Sequence, residues 1–356
     1  MKARYRMEGI LDSVPDDVWH TEMSMFSDTH YEQTAIYSAG QRGERSSHIL
    51  LKRDGVSVGG ARVGLYLVPG LKRGLALVRF GPFWRRLDSE ISDTYKDVIR
   101  ALIEEYGGKR KLYLIVRPRP HPDFYPQEAK ELQELGLTGN STTMLDRYFV
   151  DVSIDESEQR KSLGKTWRYN LQKGLGNDLD IRIATDPNTI KTFQAIYGEM
   201  VLRKNLNYPG VDLPAFIPDL VGLPERMNMQ VALAYHEGKA IGGVAFSIVG
   251  DLAYYVFGAS SNKAVELNAG YVLQWHVIRW LHEHSAVRWY ELGGPGDPGI
   301  RQFKKGLAGK RGSLLAVQEF HFCPDFVARL VVGGLFSLRD VRNRMQRWQR
   351  ERKPSL

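Results

Sequence analysis

An internal repeat constrains this chain more than any other feature of its sequence. The segments "LLKRDGVSVGGARV" (50–63) and "LAYHEGKAIGGVAF" (233–246) share an acidic residue followed by glycine, then a branched residue followed by two glycines. A Phe-Gly pair follows in each half, at 80–81 and at 257–258. The segments "KLYLIVRP" and "RWYELGGP" then match at nearly the same separation. Three matches in the same order predict a duplicated domain.

Each copy of the repeat is predicted to begin with a β-hairpin. Alternating apolar residues lead into the acidic-Gly turn, and a second strand starts at the Gly-Gly pair. A third strand runs to Phe-Gly, an amphipathic helix follows, and another strand closes the unit. These helices cover 95–106 and 269–284, and Asn268 is a plausible N-cap of the second one. Two more helices, over 156–176 and 187–205, are predicted before the second copy.

The repeat also predicts the domain organisation. We place the boundary between the copies near Asp151–Glu156, after the strand "DRYFVDVSI". The chain then has a first domain over 1–152, a second over 153–325, and a basic amphipathic C-terminal helix over 326–356. The predicted fold class is α+β, with a mixed, mostly antiparallel sheet flanked by helices in each domain.

Composition limits the classes of protein that fit this sequence. Of the 356 residues, 43% are hydrophobic and 25% charged, as in a soluble globular protein. Because Cys323 is the only cysteine, an internal disulfide and a cysteine-cluster zinc site are excluded. His276, His282 and His284 lack the H-E-x-x-H spacing, so we expect no metal site.

The N-terminal sequence and the net charge indicate where the protein works and what it binds. The first residues lack the apolar core of a signal peptide, and no apolar run reaches the roughly 18–20 residues of a membrane-spanning helix. We therefore expect a cytoplasmic protein without an integral membrane segment. The formal net charge of +8 favours polyanionic partners.

Six segments carry a resemblance to a known family. In order they are "KTWRYNLQKG" (165–174), "GEMVLRKNLNY" (198–208), "IGGVAF" (241–246), "LAYYVFGAS" (252–260), "YELGG" (290–294) and "GIRQFKKGLAG" (299–309). Together they resemble the Fem-type aminoacyltransferases, which contain two tandem GNAT (acyl-CoA N-acyltransferase) folds. The resemblance covers 151–322 well, and it covers the first domain by topology and the "VRFGPF" strand.

The resemblance implies two tandem GNAT-like domains and a reaction. Fem proteins transfer an aminoacyl group from aminoacyl-tRNA to the amine of a peptidoglycan precursor. The implied acceptor is the amine of a soluble precursor, of the peptidoglycan type or a natural-product peptide, and no cofactor beyond the acyl donor is implied. The alternative within the fold is an acyl-CoA-dependent N-acyltransferase of polysaccharide or secondary metabolism.

The segment after the Gly/Pro-rich loop supplies the predicted catalytic group. Aminolysis of an ester passes through a tetrahedral oxyanion that a fixed positive charge stabilises. Lys304 is our candidate for this role, or for holding the donor's phosphate. We interpret the loop as flexible, closing over the donor and delivering Phe303, which would stack on a base, with Lys305 as a second cation. Asp297 in the loop is a candidate for proton transfer, and transfer through the substrate itself is the alternative.

Five more residues are predicted to bind substrate. Arg203, at a helix end, either clamps a phosphate or carboxylate or caps its helix. Tyr254 and Tyr255 are adjacent in a strand and point to opposite faces, so one belongs to the core and the other can order the acceptor. Trp167 and Arg168 lie in the segment that opens the second domain. Gln41 and Arg42 are the candidates for contacting a nucleotide diphosphate.

CoA-dependent GNAT domains bind the pyrophosphate of CoA at a glycine-rich turn, and the corresponding turn in this chain indicates which acyl donor it uses. It falls here at "VELNAGYVLQW", which retains only Gly270 of the usual run of glycines. Either CoA is not the donor or it binds through fewer amides. A different class of function, binding of nucleic acid or of a membrane surface without catalysis, is suggested by the C-terminal segment, with Phe326, Leu330, Leu335 and Leu338 on one side.

Overall fold

A computed structural model gives the fold of the chain. It describes residues 7–41, 43–88, 94–206, 217–224, 227, 229–294 and 296–336.

The described residues form one continuous sheet of twelve strands. In chain order the strands are β1 (Met7–Leu11), β2 (Arg45–Arg53), β3 (Val56–Val68), β4 (Arg73–Val78), β5 (Tyr113–Val116), β6 (Thr138–Asp151), β7 (Asp180–Ala184), β8 (Met229–His236), β9 (Lys239–Val249), β10 (Leu252–Ser260), β11 (Trp289–Glu291) and β12 (Ser313–Phe322). Their order across the sheet is β1-β2-β3-β4-β5-β12-β6-β11-β10-β9-β8-β7. All neighbouring pairs are antiparallel except β4–β5 and β10–β11, which are parallel.

Helices cover both faces of this sheet. They are α1 (Asp16–Ser24), α2 (Ala35–Ala39), α3 (Tyr95–Leu102), α4 (Tyr125–Glu134), α5 (Glu156–Ser162), α6 (Lys165–Leu175), α7 (Pro187–Arg203), α8 (Ile217–Val221), α9 (Asn262–Glu266), α10 (Ala269–His284), α11 (Pro298–Ala308) and α12 (326–336). A 3₁₀ turn covers Tyr31–Gln33, and α3 continues into a π-helical stretch over Ile103–Lys109.

The predicted hairpins are confirmed at the two acidic-Gly turns. Asp54 and Gly55 have φ values of 50° and 84°, and Glu237 and Gly238 have 50° and 74°. Positive φ at both central residues defines the turn that matches the twist of two-residue hairpins, and glycine adopts it without steric cost. Each hairpin is followed by the predicted third strand, helix and parallel strand.

The two halves exchange their last strands. β6, which ends the first half of the repeat, pairs with β11 of the second half, and β12, which ends the second half, pairs with β5 of the first. β6 and β12 also pair with each other from Ser313↔Phe149 to His321↔Thr138. The repeat therefore divides the sequence into two similar units, but the strand pairing joins them into one sheet.

Apolar side chains pack on both faces of the second half of the sheet. Ala232, Val244 and Phe246 face α6, α10 and α11, whereas Val231 and Ala245 face α7. In the first half, α3 and α4 cover a corresponding core. The α+β, tandem GNAT architecture predicted from the sequence is thus the observed one, with the two predicted sheets joined into one.

Two local predictions differ from the structure, and one strand was missed. The helix predicted over 156–176 breaks between α5 and α6 at Leu163–Gly164, because Gly164 lies against α11: a Cβ on it would be 3.1 Å from the Cα of Gly306. The sequence did not predict β7. Asn268 does precede α10, but its left-handed backbone (φ 56°) marks the helix start and its side chain makes no capping hydrogen bond.

Candidate active site

The site lies where two parallel strands separate. β10 and β11 pair only from Leu252–Tyr254 to Trp289–Glu291. β11 then ends, whereas β10 continues to Ser260 and bulges against β9 between Tyr255 and Phe257. The carboxyl ends of parallel strands are the usual place of ligand binding in open sheets, because loops and helix ends converge there. We call this opening the β10–β11 wedge.

Lys304 enters the wedge from α11. The helix begins after Asp297, whose Oδ1 accepts a hydrogen bond from the Ile300 N–H at 2.8 Å, and Pro298 occupies its first position. The Lys304 side chain is 7% exposed; its Nζ donates to the carbonyl oxygen of Gly294 and lies 5.9 Å from the centroid of the Tyr255 ring. Phe303 and Lys304 therefore belong to a capped helix that follows the Gly/Pro-rich loop, and closing of that loop over the donor stays a prediction.

The surroundings of Lys304 change its acidity. Burial lowers the pKa of its ammonium from 10.5 to about 8; Glu291 raises this pKa and Arg147 lowers it further. At neutral pH the group remains mainly protonated, which is the form that can stabilise an oxyanion. The buried position strengthens any such interaction, because little water screens it.

Glu291 and Arg147 form part of the site and were not predicted from the sequence. Glu291 ends β11 and is 3% exposed; its Oε1 accepts hydrogen bonds from the Gly293 N–H at 2.9 Å and from Arg147 Nη1 at 3.2 Å. Arg147 comes from β6 and stacks on Phe80, 4.9 Å from the ring centroid. The sequence does carry one signal for Glu291: in "YELGG" a carboxylate stands at the end of an apolar strand.

A cavity beside Arg147 reaches the seam between the two halves. Its volume is about 110 Å³, and it is lined by Phe80, Arg117, Leu145, Arg147, Val317, Gln318 and Glu319. Arg117 and Glu319 form an ion pair across β5 and β12. Glu32 lies within electrostatic range of Arg117 and Arg147, and burial raises the pKa of its carboxyl against the effect of these arginines. We call this region the seam cavity.

Tyr254 and Tyr255 point to opposite faces, as predicted. Tyr254 is fully buried against His30, with ring centroids 4.6 Å apart, and Arg119 Nη1 lies 3.4 Å from its hydroxyl. Burial raises the pKa of Tyr254 well above its ordinary value. Tyr254 is therefore the core residue of the two, and Tyr255 is the one beside Lys304.

Phe303 and Trp167 belong to an aromatic cluster with Tyr271. The ring centroids of Phe303 lie 5.7 Å from Trp167 and 5.0 Å from Tyr271. Trp167 is 2% exposed. These contacts hold α11 against α6 and so fix the position of Lys304, whereas stacking of Phe303 on a substrate base stays a prediction.

The other predicted residues have different surroundings. Arg203 is exposed and donates to Asn262 and to the carbonyl oxygen of Ser260, at the far end of β10, so the structure does not bring it to Lys304. Asp297 caps α11 and is exposed. Gln41 is half-buried, and Arg42 lies outside the described residues, as does Leu338.

The exposed sides of α6 and α11 form one basic surface. Both helices lack Asp and Glu, and their exposed cations are Lys165, Arg168, Lys173, Arg301 and Lys305. Tyr169, 59% exposed, lies under Lys173, whose Nζ is 4.7 Å from the ring centroid. We call this the α6–α11 basic surface. Part of it belongs to α11, the helix from which Lys304 enters the wedge.

The first turn of α10 is covered by α6. A Cβ on Gly174 of α6 would come within 2.6 Å of Val272 Cγ2 and 3.1 Å of the Asn268 carbonyl oxygen. The Asn177 amide also donates to the carbonyl oxygen of Leu267 at 2.9 Å. The protein itself thus occupies one side of this helix start, whereas the side at Gly270 is open: a Cβ there would meet no atom within 4 Å.

Comparison with known proteins shows which family of domains has this arrangement of strands and helices. A family model described as an acetyltransferase (GNAT) domain matches residues 157–305, which contain the wedge, Glu291 and Lys304. Residues 157–305 therefore form an acyltransferase domain of the GNAT fold. No curated protein sequence shows significant similarity to the chain.

Solved structures show that the whole chain has the tandem arrangement. The crystal structure of FemX is similar at a TM-score of 0.71 and 15% identity, over 91% of this chain and 99% of that chain. A conserved protein of unknown function from Bacteroides thetaiotaomicron is similar at a TM-score of 0.59 and 12% identity, over 90% and 99%. The resemblance to the Fem-type fold is confirmed by these matches.

Among the described residues, no helix combines the length and the apolar character needed to cross a bilayer. No group of three or more His, Cys, Asp or Glu side chains is arranged there to hold a metal ion.

Proposed function

We propose that this acyltransferase transfers an aminoacyl group from aminoacyl-tRNA to the amine of a soluble precursor. The observation that carries this proposal is the α6–α11 basic surface, because it places five exposed cations on the helices that hold Lys304. Cations on one surface bind nucleic acid mainly by neutralising phosphates and releasing their counterions. The exposed ring of Tyr169 offers a face on which an unpaired base can stack.

The position of the donor follows from this surface. The acceptor end of a tRNA bound along α6 and α11 would bring its ester into the β10–β11 wedge, next to Lys304 and Tyr255. The first turn of α10 supports tRNA over CoA, because it retains only Gly270 of the usual run of glycines that cradles a pyrophosphate. FemX, whose structure matches nearly the full chain, supports the same assignment at the level of fold.

The seam cavity is our candidate for the acceptor. Arg117 and Arg147 can pair with anionic groups of a precursor, and Glu319 can hold an ammonium. An amine bound there would approach the ester from the first half of the chain, while the donor approaches from the second.

The residues of the wedge then promote aminolysis. The amine nitrogen attacks the ester carbonyl carbon, a C–N bond forms, and the electron pair moves to the carbonyl oxygen. The Lys304 ammonium stabilises this oxyanion. As it collapses, the C–O bond breaks and the 3′-terminal ribose oxygen leaves with the proton that the amine has lost. This proton passes between the substrates, because Asp297 is engaged as the cap of α11.

Binding of charged tRNA, uncharged tRNA and acetyl-CoA to the purified protein at fixed salt tests the donor. The proposal expects tRNA binding that is stronger for the charged form and that weakens on neutralising Arg168 and Lys305. Binding of acetyl-CoA with indifferent binding of tRNA would refute it.

An acyl-CoA-dependent N-acyltransferase is the second candidate. The description of the matching family model, an acetyltransferase domain over residues 157–305, favours it. Its acyl donor would enter the same wedge, so Lys304 would have the same role. Transfer of acetyl groups from acetyl-CoA to small amines, abolished in Lys304→Met, would establish this function instead.

A further inference from the structure

Helix α12 has an apolar face directed away from the rest of the protein. Its residues Phe326, Val327 and Leu330, which follow one side of the helix, are 69%, 47% and 60% exposed. We call these three residues the α12 apolar face. Leaving several large apolar side chains in water on one short helix is unfavourable, and such a patch marks a contact surface.

The packing of α12 fixes this orientation. Ala328 and Val332, on its other side, are 0% and 1% exposed. Asp325 caps the helix by accepting from the Ala328 N–H at 2.8 Å, and Arg73 Nε holds the same carboxylate at 3.0 Å. Because the inner side is already occupied by buried residues, the apolar face cannot rotate into the core.

Basic residues surround the α12 apolar face. The Arg73–Asp325 contact places the turn between β3 and β4 beside the helix start, and this turn carries Leu71, 50% exposed, and the exposed Lys72. Lys111 lies within electrostatic range of Asp325. Arg329 is exposed on the helix itself, and its guanidinium donates to the Cys323 carbonyl oxygen at 2.6 Å.

The sequence that follows α12 adds more positive charge. Its acidic residues are only Asp340 and Glu351, and its basic residues are Arg339, Arg342, Arg344, Arg347, Arg350, Arg352 and Lys353.

We propose that the α12 apolar face binds the surface of an anionic membrane. Apolar side chains with a basic border match the interface of a bilayer, where Phe and Leu enter the acyl boundary and cations meet anionic headgroups. A second copy of the chain fits less well, because the basic borders of the two copies would repel each other. Nucleic acid also fits less well, because it offers no apolar surface to the three outward apolar residues.

Sedimentation of the full chain with vesicles tests this proposal. Vesicles of equal parts phosphatidylglycerol and phosphatidylcholine should bind the protein, and pure phosphatidylcholine should bind it much less. Phe326→Ser and Leu330→Ser should each weaken binding about tenfold, from the loss of one buried apolar side chain. Leu202→Ser is the matched control, since Leu202 is 83% exposed at the end of α7, and it should leave binding unchanged.

Other outcomes overturn the proposal. Binding that is equal for both vesicle types, or that Leu330→Ser does not weaken, would contradict a role of the α12 apolar face at anionic lipid. A concentration-dependent dimer in analytical ultracentrifugation, disrupted by Leu330→Ser, would assign the face to self-association instead. If tRNA displaces the protein from vesicles and Leu330→Ser also weakens tRNA binding, the α12 apolar face would be assigned to nucleic acid. None of these measurements depends on which acyl donor the enzyme uses.

Discussion

Arg147 Nη1 donates to Glu291 Oε1 at 3.2 Å, across the junction of β6 and β11. The first residue comes from the first half of the chain and lines the seam cavity, and the second comes from the second half and ends β11 at the wedge. Both side chains are nearly inaccessible, at 12% and 4% exposure, so neither charge is well hydrated. Their pairing sets the electrostatic environment of Lys304, which Glu291 favours in its protonated form and Arg147 disfavours.

Removal of the Lys304 ammonium should abolish most of the activity. Lys304→Met keeps the volume of the side chain, and the loss of oxyanion stabilisation should lower kcat about 10²–10³-fold. Lys310→Met, an exposed lysine just after α11, is the matched control and should retain wild-type kcat. Single-turnover rates with unchanged thermal unfolding would measure this effect, and an active, folded Lys304→Met would disprove the assigned role.

The pH dependence of the rate should report the lowered pKa of Lys304. If the protonated form acts, kcat falls as pH rises through about 8, approaching tenfold per pH unit above that value. In Glu291→Gln the carboxylate no longer raises the pKa of Lys304, so the fall should begin at lower pH. Glu237→Gln, an exposed carboxylate in the β8–β9 turn, should leave the profile in place. An unchanged profile in Glu291→Gln would show that another group titrates.

The α6–α11 basic surface should determine the salt dependence of tRNA binding. Each phosphate contact contributes about 0.7–0.9 to the slope of log K against log salt concentration. Arg168→Gln with Lys305→Gln should therefore reduce the magnitude of the slope by about 1.5. Lys191→Gln with Lys239→Gln, which removes two exposed charges from α7 and the β8–β9 turn, should not. Equal losses in both double variants would indicate only unspecific attraction.

Gly309 should be essential for the stability of the site. It ends α11 with φ 65° and ψ −150°, and a Cβ there would come within 2.3 Å of the Ser162 carbonyl oxygen. Gly309→Ala should therefore lower the free energy of unfolding by more than about 2 kcal/mol. Gly270→Ala in α10, where a Cβ meets no atom within 4 Å, should be neutral or stabilising by up to about 1 kcal/mol. Denaturant unfolding of both variants compares them directly.

Local sequence signals predicted the repeated elements because their causes are local. The acidic-Gly turns need positive φ, and the helices show their apolar stripes within a few residues. The start of α11 was also readable, since Asp297-Pro298 is a helix-start signal, but the glycines around it favoured a loop. The exchange of β6 and β12 was not predicted, because strand alternation does not say which edge a strand joins.

The site was predicted only where a contiguous motif carries it. Lys304 and its aromatic neighbour Phe303 follow each other in the chain, and so they could be found together. Glu291 and Arg147 are 144 residues apart, and no pattern of residue types links them. The partners of Arg203 could not be predicted for a related reason: Asn262 and the Ser260 carbonyl oxygen, to which it donates, lie at the end of β10, and only the fold brings them to its helix. Its role in binding stays a prediction.

The exchanged strands have a consequence for the synthesis of this protein on the ribosome. β5 emerges early, but its neighbour β12 begins only at Ser313 of a 356-residue chain. Until then the nascent N-terminal half exposes the open edge of β5. The two neighbours of β6, which are β11 and β12, have not yet been synthesised either. An uncovered edge strand can pair with other chains. This edge therefore stays open until β12 has been synthesised, and a nascent chain that stalls before β12 would present an unpaired edge strand to other chains.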